Sequence, residues 1–102
     1  MDTIYRQGDV LIISVDSLPP GAVQEEPAER VVLAYGEVTG HAHALDSALA
    51  IAYRHNEDRF IEARRGATIV HEEHGPIVLP PGYYKVVRQR EYTPEEIRRV
   101  CD

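Results

Sequence analysis

The feature that most constrains this chain is its punctuation: short β-branched runs recur from end to end, each closed by Gly, Pro, Asn or Asp before a helical period can develop. Tyr5 to Val15 enters through Gln7-Gly8-Asp9 and continues as Val10-Leu11-Ile12-Ile13-Ser14-Val15, which reads as a first core strand buried on both faces. Residues 16 to 29 hold the turn cluster Ser17-Leu18-Pro19-Pro20-Gly21 and an acidic, aperiodic stretch, and are expected to form an exposed loop. Arg30 to Tyr35 reads as the second strand, with Gly36 and Gly40 predicting a bulge or turn before His41. Ala48 to Arg54 and Arg59 to Ala63 read as a hairpin joined at His55-Asn56-Glu57-Asp58.

Further along, Ala67 to Val70 and Ile77 to Leu79 read as strands on either side of a short loop closed by Gly75, and Pro80-Pro81-Gly82 turns the chain into a long strand from Tyr83 to Tyr92. Thr93-Pro94-Glu95-Glu96 carries an N-cap, a first-position proline and a capping-box glutamate, predicting a short C-terminal helix. Its apolar stripe, Ile97, Val100 and Cys101, would cover an open end of the sheet structure. With no helices between strands to make parallel crossovers, the expected fold is mainly β: a small antiparallel barrel or sandwich with that helix appended. A length of 102 residues suits one domain spanning the whole chain.

Four histidines are the candidate functional feature. On an extended segment, side chains two residues apart face the same side, so His41 and His43 can aim at one point, and His71 and His74 flank Glu72-Glu73 in the loop between the two short strands. Neutral imidazole suits divalent transition metals, zinc foremost. The lone cysteine, Cys101, rules out an intrachain disulfide and a thiolate cage, so any metal must be held by His, Asp or Glu. His41, His43, His71 and His74 are therefore the expected metal ligands, with Glu72 or Glu73 as a further ligand or general base of a metal-assisted hydrolase or lyase. A metal-free variant of this reading uses His41 and His43 as general acid and base.

Net charge narrows the alternatives. A formal charge of -6 disfavours non-specific binding to duplex DNA, which depends on cations displacing counterions. Arg88 and Arg90 nevertheless share one strand face with Tyr84 and Tyr92, and that face could bind RNA or a protein partner by guanidinium contacts and base stacking. No long apolar run or basic-then-apolar N-terminus is present, so a cytoplasmic location without a membrane span is expected. Exposed strand edges would permit a homodimer.

Taken together, Tyr5-Arg6-Gln7-Gly8-Asp9-Val10, Gly36-Glu37-Val38-Thr39-Gly40-His41-Ala42-His43, His71-Glu72-Glu73-His74-Gly75 and Arg88-Gln89-Arg90-Glu91-Tyr92 resemble a family of small bacterial and phage proteins with no assigned activity. The resemblance implies a coherent domain and a bacterial or phage setting. His41-Ala42-His43 and Pro80-Pro81-Gly82 are also similar to motifs of the cupins, a likeness that implies a β-barrel. Lys85 stands where a cupin places its third histidine, and no glutamate follows His43 at the cupin spacing.

Overall fold

The computed structural model describes residues 3–35 and 41–88, of which 58% lie in strands and none in a helix. The strands are β1 (Ile4–Gln7), β2 (Val10–Val15), β3 (Val23–Gln24), β4 (Arg30–Tyr35), β5 (Ala42–Asp46), β6 (Ala50–His55), β7 (Asp58–Ala63), β8 (Thr68–Ile69), β9 (Ile77–Val78) and β10 (Gly82–Arg88). Six of them form one sheet in the order β1-β2-β10-β7-β6-β3, while β4 pairs with β5 and β8 with β9. Every pairing is antiparallel, as the absence of crossover helices required. The expected C-terminal helix, the distal end of the last strand at Tyr92, and the bulge at Gly36 and Gly40 all lie outside the described residues.

Three local expectations are corrected. Tyr5 to Val15 is a hairpin rather than one strand: Gln7 pairs with Val10 across a two-residue turn. Gly8 stands at the first loop position with φ +59°, as a type II′ turn requires. The loop over residues 16 to 29 also contributes β3, which pairs Val23 with Arg54 and Gln24 with Tyr53 at the edge of the main sheet. Finally, the sheets do not close into a barrel. Among the described residues, β1 and β3 stand at the two ends of the main sheet, and β3 contributes only two residues of ladder.

Register defines the buried face of the main sheet. Val10 lies opposite Arg88, Ile12 opposite Val86, and Ile61 opposite both Tyr84 and Ala52, so these side chains share one side. Val31 and Leu33 of β4, Leu45 of β5, Ile69 of β8 and Leu79 join them in a single hydrophobic cluster. The two small ribbons thus cover one face of the main sheet. Tyr84 is held in this core with its hydroxyl donating to the Pro80 carbonyl at 2.6 Å and its ring edge-on to Tyr5. Lys85 projects to the opposite face, 3.6 Å from Asp58, so the strand after Pro80-Pro81-Gly82 sends no ligand toward the histidines by that route.

Candidate metal centre

Backbone pairing explains why the histidines meet. β8 runs on into Val70, which exchanges both backbone hydrogen bonds with Ala44 of β5 at 2.9 and 3.1 Å. Continuing that antiparallel register sets residue 71 opposite 43, 72 opposite 42 and 73 opposite 41. The contacts follow this order. The rings of His43 and His71 are 4.3 Å apart at their centroids, Glu72 Oε1 accepts from the Ala42 amide at 2.8 Å, and Glu73 Oε1 lies 3.2 Å from His41 Nδ1. His71 occupies the middle of the group, 5.6 Å from His41 and 4.7 Å from His74. All four histidines and both glutamates therefore occupy one neighbourhood.

His43 is the buried member, 2% exposed and flanked along β5 by buried Ala42 and Ala44. Its orientation is set by Gln7 at the end of β1. The Gln7 carboxamide donates to the Ile69 carbonyl at 3.1 Å and to the Gly75 carbonyl at 2.9 Å. Both of its hydrogens are thereby used, and only Oε1 is left to face His43 Nδ1 at 2.9 Å. The opposite amide orientation would set an oxygen against two carbonyls. His43 must consequently carry its proton on Nδ1 and present the lone pair on Nε2. Burial, followed by the neighbouring His71, pushes the His43 pKa down to about 4, against an opposing pull from Asp9, so the ring is neutral at physiological pH.

The turn of the first hairpin closes the other side. A Cβ on Gly8 would come within 2.7 Å of His74 Nε2 and 3.4 Å of His43 Cε1, so glycine is needed for the positive φ, and a side chain there would displace the exposed His74 ring. Asp9 Oδ1 lies 3.6 Å from His43 Nε2, and its Oδ2 lies 3.4 Å from Arg88 Nη2. Arg88 also donates to the Tyr35 carbonyl at 2.9 Å. It lies on the same face of β10 as buried Tyr84, itself partly buried. Arg90 and Tyr92 lie outside the described residues.

Gln7, Gly8 and Asp9 carry roles that sequence reasoning missed. Their signal was present: Gly-Asp between a strand-like segment and Val10-Leu11-Ile12-Ile13 is hairpin chemistry, and the turn is what folds Gln7 back beside Val10.

Among the described residues, His41, His71 and Glu72 form the group whose donor atoms all lie within 4.8 Å of one another. Hydrogen bonds from the Ala42 amide and from its own backbone amide hold the Glu72 carboxyl below the usual carboxylate range, so it is available as an anionic donor. Compared with known families, residues 6–89 match a domain of unknown function, DUF8820. The chain belongs to this family. The match encloses every residue of the cluster, from Gln7 to Gly75, and stops short of Arg90 and Tyr92. No curated protein and no solved structure matches the chain.

Proposed function

We propose that this DUF8820 domain binds a divalent metal ion, with zinc as the best fit, through His41, His71 and Glu72. The supporting observation is that their donor atoms lie within 4.8 Å of one another. Donors held about 2.0–2.2 Å from a tetrahedral ion stand roughly 3.3–3.6 Å apart, so closure needs a movement on the order of 1 Å. Glu72 is exposed and His41 and His71 are partly so, which permits that movement. Two imidazoles and a carboxylate are a donor set suited to zinc and leave a fourth position for water.

Glu73 has a different part from the one expected of a general base. Its carboxylate at His41 Nδ1 would hold that proton and turn His41 Nε2 toward the ion, as carboxylates behind metal-bound histidines do. His71 Nδ1 currently accepts from the Glu73 amide at 3.0 Å. Whichever ring nitrogen ligates, that bond is surrendered, either because Nδ1 gives its lone pair to the ion or because Nδ1 must take up the proton. Metal capture therefore reshapes the exposed loop of residues 72 to 74, at a cost of about 1 kcal/mol for the lost bond.

An open fourth position makes metal-assisted hydrolysis the first reaction class to screen. The binding claim is tested on untagged protein, stripped with chelator and dialysed against zinc. Near-stoichiometric zinc by elemental mass spectrometry, lost in the double variant His41→Ala/Glu72→Gln, supports the site; zinc retained at the same level in that variant rules it out.

A further inference from the structure

We propose that the cleft between β4 and the main sheet binds a small organic anion, a phosphate or carboxylate carried on an apolar body, with Arg54 as its charge partner. The cleft shares no residue with His41, His71 and Glu72 and does not depend on the metal reading.

Strand register produces the charge. Arg54 of β6 lies directly opposite Arg59 of β7, and both fall on the face that carries Ala52 and Ile61. Like charges opposite each other on neighbouring strands destabilise a sheet, and here one carboxylate answers both. Glu25 accepts from Arg59 Nε at 2.8 Å and from Arg59 Nη2 at 2.9 Å, one bond to each of its oxygens. Arg59 Nη1 donates to the Val32 carbonyl of β4, so all three nitrogens of this guanidinium are engaged. Arg54 Nη2 stands 3.6 Å from Glu25 Oε2, beyond hydrogen-bond length, and its side chain is 57% exposed. Arg54 is therefore the surplus cation of the three, with its N–H donors open to a further acceptor.

A cavity of about 500 Å³ adjoins that cation, with Val32, Ala34, Tyr35 and Val86 among its walls. Lys85 and Asp58 also line it, 3.6 Å from each other as an ion pair, and Glu57 is exposed in the turn between β6 and β7. Arg88 completes the lining, and its Nε is buried with no hydrogen-bond partner among the described residues. A desolvated guanidinium donor left unmet keeps the local potential positive. A second cavity of about 440 Å³ shares Val32, Tyr35 and Arg59 with the first and is the more apolar of the two, with Val31, Ala50, Ile51 and Ala52 in its walls. Tyr35, 66% exposed, offers its ring to both. A charged lobe beside an apolar one of this size suits a small ligand with an anionic end and a hydrocarbon or aromatic body.

The test is an NMR titration of untagged, chelator-treated protein with two probes, phenyl phosphate and benzoate. Saturating shifts of the Val32, Tyr35, Arg54 and Arg59 amides are expected with at least one probe, and the probe that binds identifies the anionic group. Arg54→Gln should weaken binding by roughly tenfold, the loss of one charge-assisted hydrogen bond. Arg65→Gln, which removes an exposed arginine from the turn after β7, should leave affinity unchanged. Inorganic phosphate, which lacks the apolar body, should bind more weakly than phenyl phosphate. No saturating shift at these amides with either probe overturns the site, and this result needs no variant. Equal weakening in Arg54→Gln and Arg65→Gln reduces the binding to general surface attraction, and inorganic phosphate binding as tightly as phenyl phosphate removes the apolar body; either result overturns the inference.

Discussion

Replacing Gln7 by leucine should be among the most costly single changes outside the hydrophobic core. Leucine has nearly the same volume, so no cavity opens, and the loss is that of three hydrogen bonds: those to the Ile69 carbonyl, the Gly75 carbonyl and His43 Nδ1. Gly75 is exposed, so water can replace the partner of its carbonyl. The Ile69 carbonyl keeps its ladder partner, the Ile77 amide across β8 and β9, so the buried group left without a partner is His43 Nδ1. At about 1–3 kcal/mol for such a group, the expected destabilisation is about 1–3 kcal/mol, a sizeable share of the stability of an ordinary domain. Urea unfolding in the presence of chelator isolates this effect from metal linkage, and with a slope of about 1–3 kcal/mol per molar the midpoint should fall by about 1 M. Gln24→Leu on exposed β3 serves as the control and should stay within about 0.5 kcal/mol. If the two variants lose equally little, the Gln7 network is not what holds β1, β5 and the loop before β9 together.

Gly8→Ala should cost about 1–2 kcal/mol from the left-handed backbone alone, and should push the exposed His74 ring aside rather than strain the core; an unchanged melting temperature would contradict the positive φ. The pH dependence of the metal-free protein follows from His43. Its folded pKa of about 4 lies below its ordinary 6.5, so between these values the unfolded chain binds the extra proton. Stability should be intact above pH 6.5 and fall as pH drops toward 4, by about 2 kcal/mol at pH 5 and at most about 3 kcal/mol. Equal urea midpoints at pH 7 and pH 5 would refute a buried neutral His43. Zinc should also shift the Glu73 amide resonance strongly, because its bond to His71 is lost, whereas an amide that does not respond would exclude His71 as a ligand.

Much of the fold was legible because antiparallel β structure writes itself locally. β4 spans Arg30 to Tyr35 as the short β-branched run of that segment indicated, and the hairpin of β6 and β7 turns at Asn56, whose φ of 57° is one that asparagine tolerates. What escaped is what depends on long-range pairing. β3 is two residues in an acidic loop, recognisable only by its partner β6. The ladder step between Ala44 and Val70, which sets His71 beside His43, has no local signature in either segment. The role of Gln7 was hidden for the same reason, since a polar residue at a strand end reads as exposed until the Gly8-Asp9 turn folds it against Val10 and β5 arrives to cover it. In the long final strand, period-two parity set Tyr84, Val86 and Arg88 on one face, but only the packed structure shows that Tyr84 is core and that Arg88 is engaged with Asp9 and Tyr35.

The measurement that bears most directly on the metal-centre account is X-ray absorption at the zinc edge of untagged, zinc-loaded protein. The account predicts a first shell of nitrogen and oxygen only, at about 2.0–2.2 Å, with the outer-shell scattering of coordinated imidazole. A sulfur shell near 2.3 Å, or a zinc spectrum with no imidazole scattering, would contradict it.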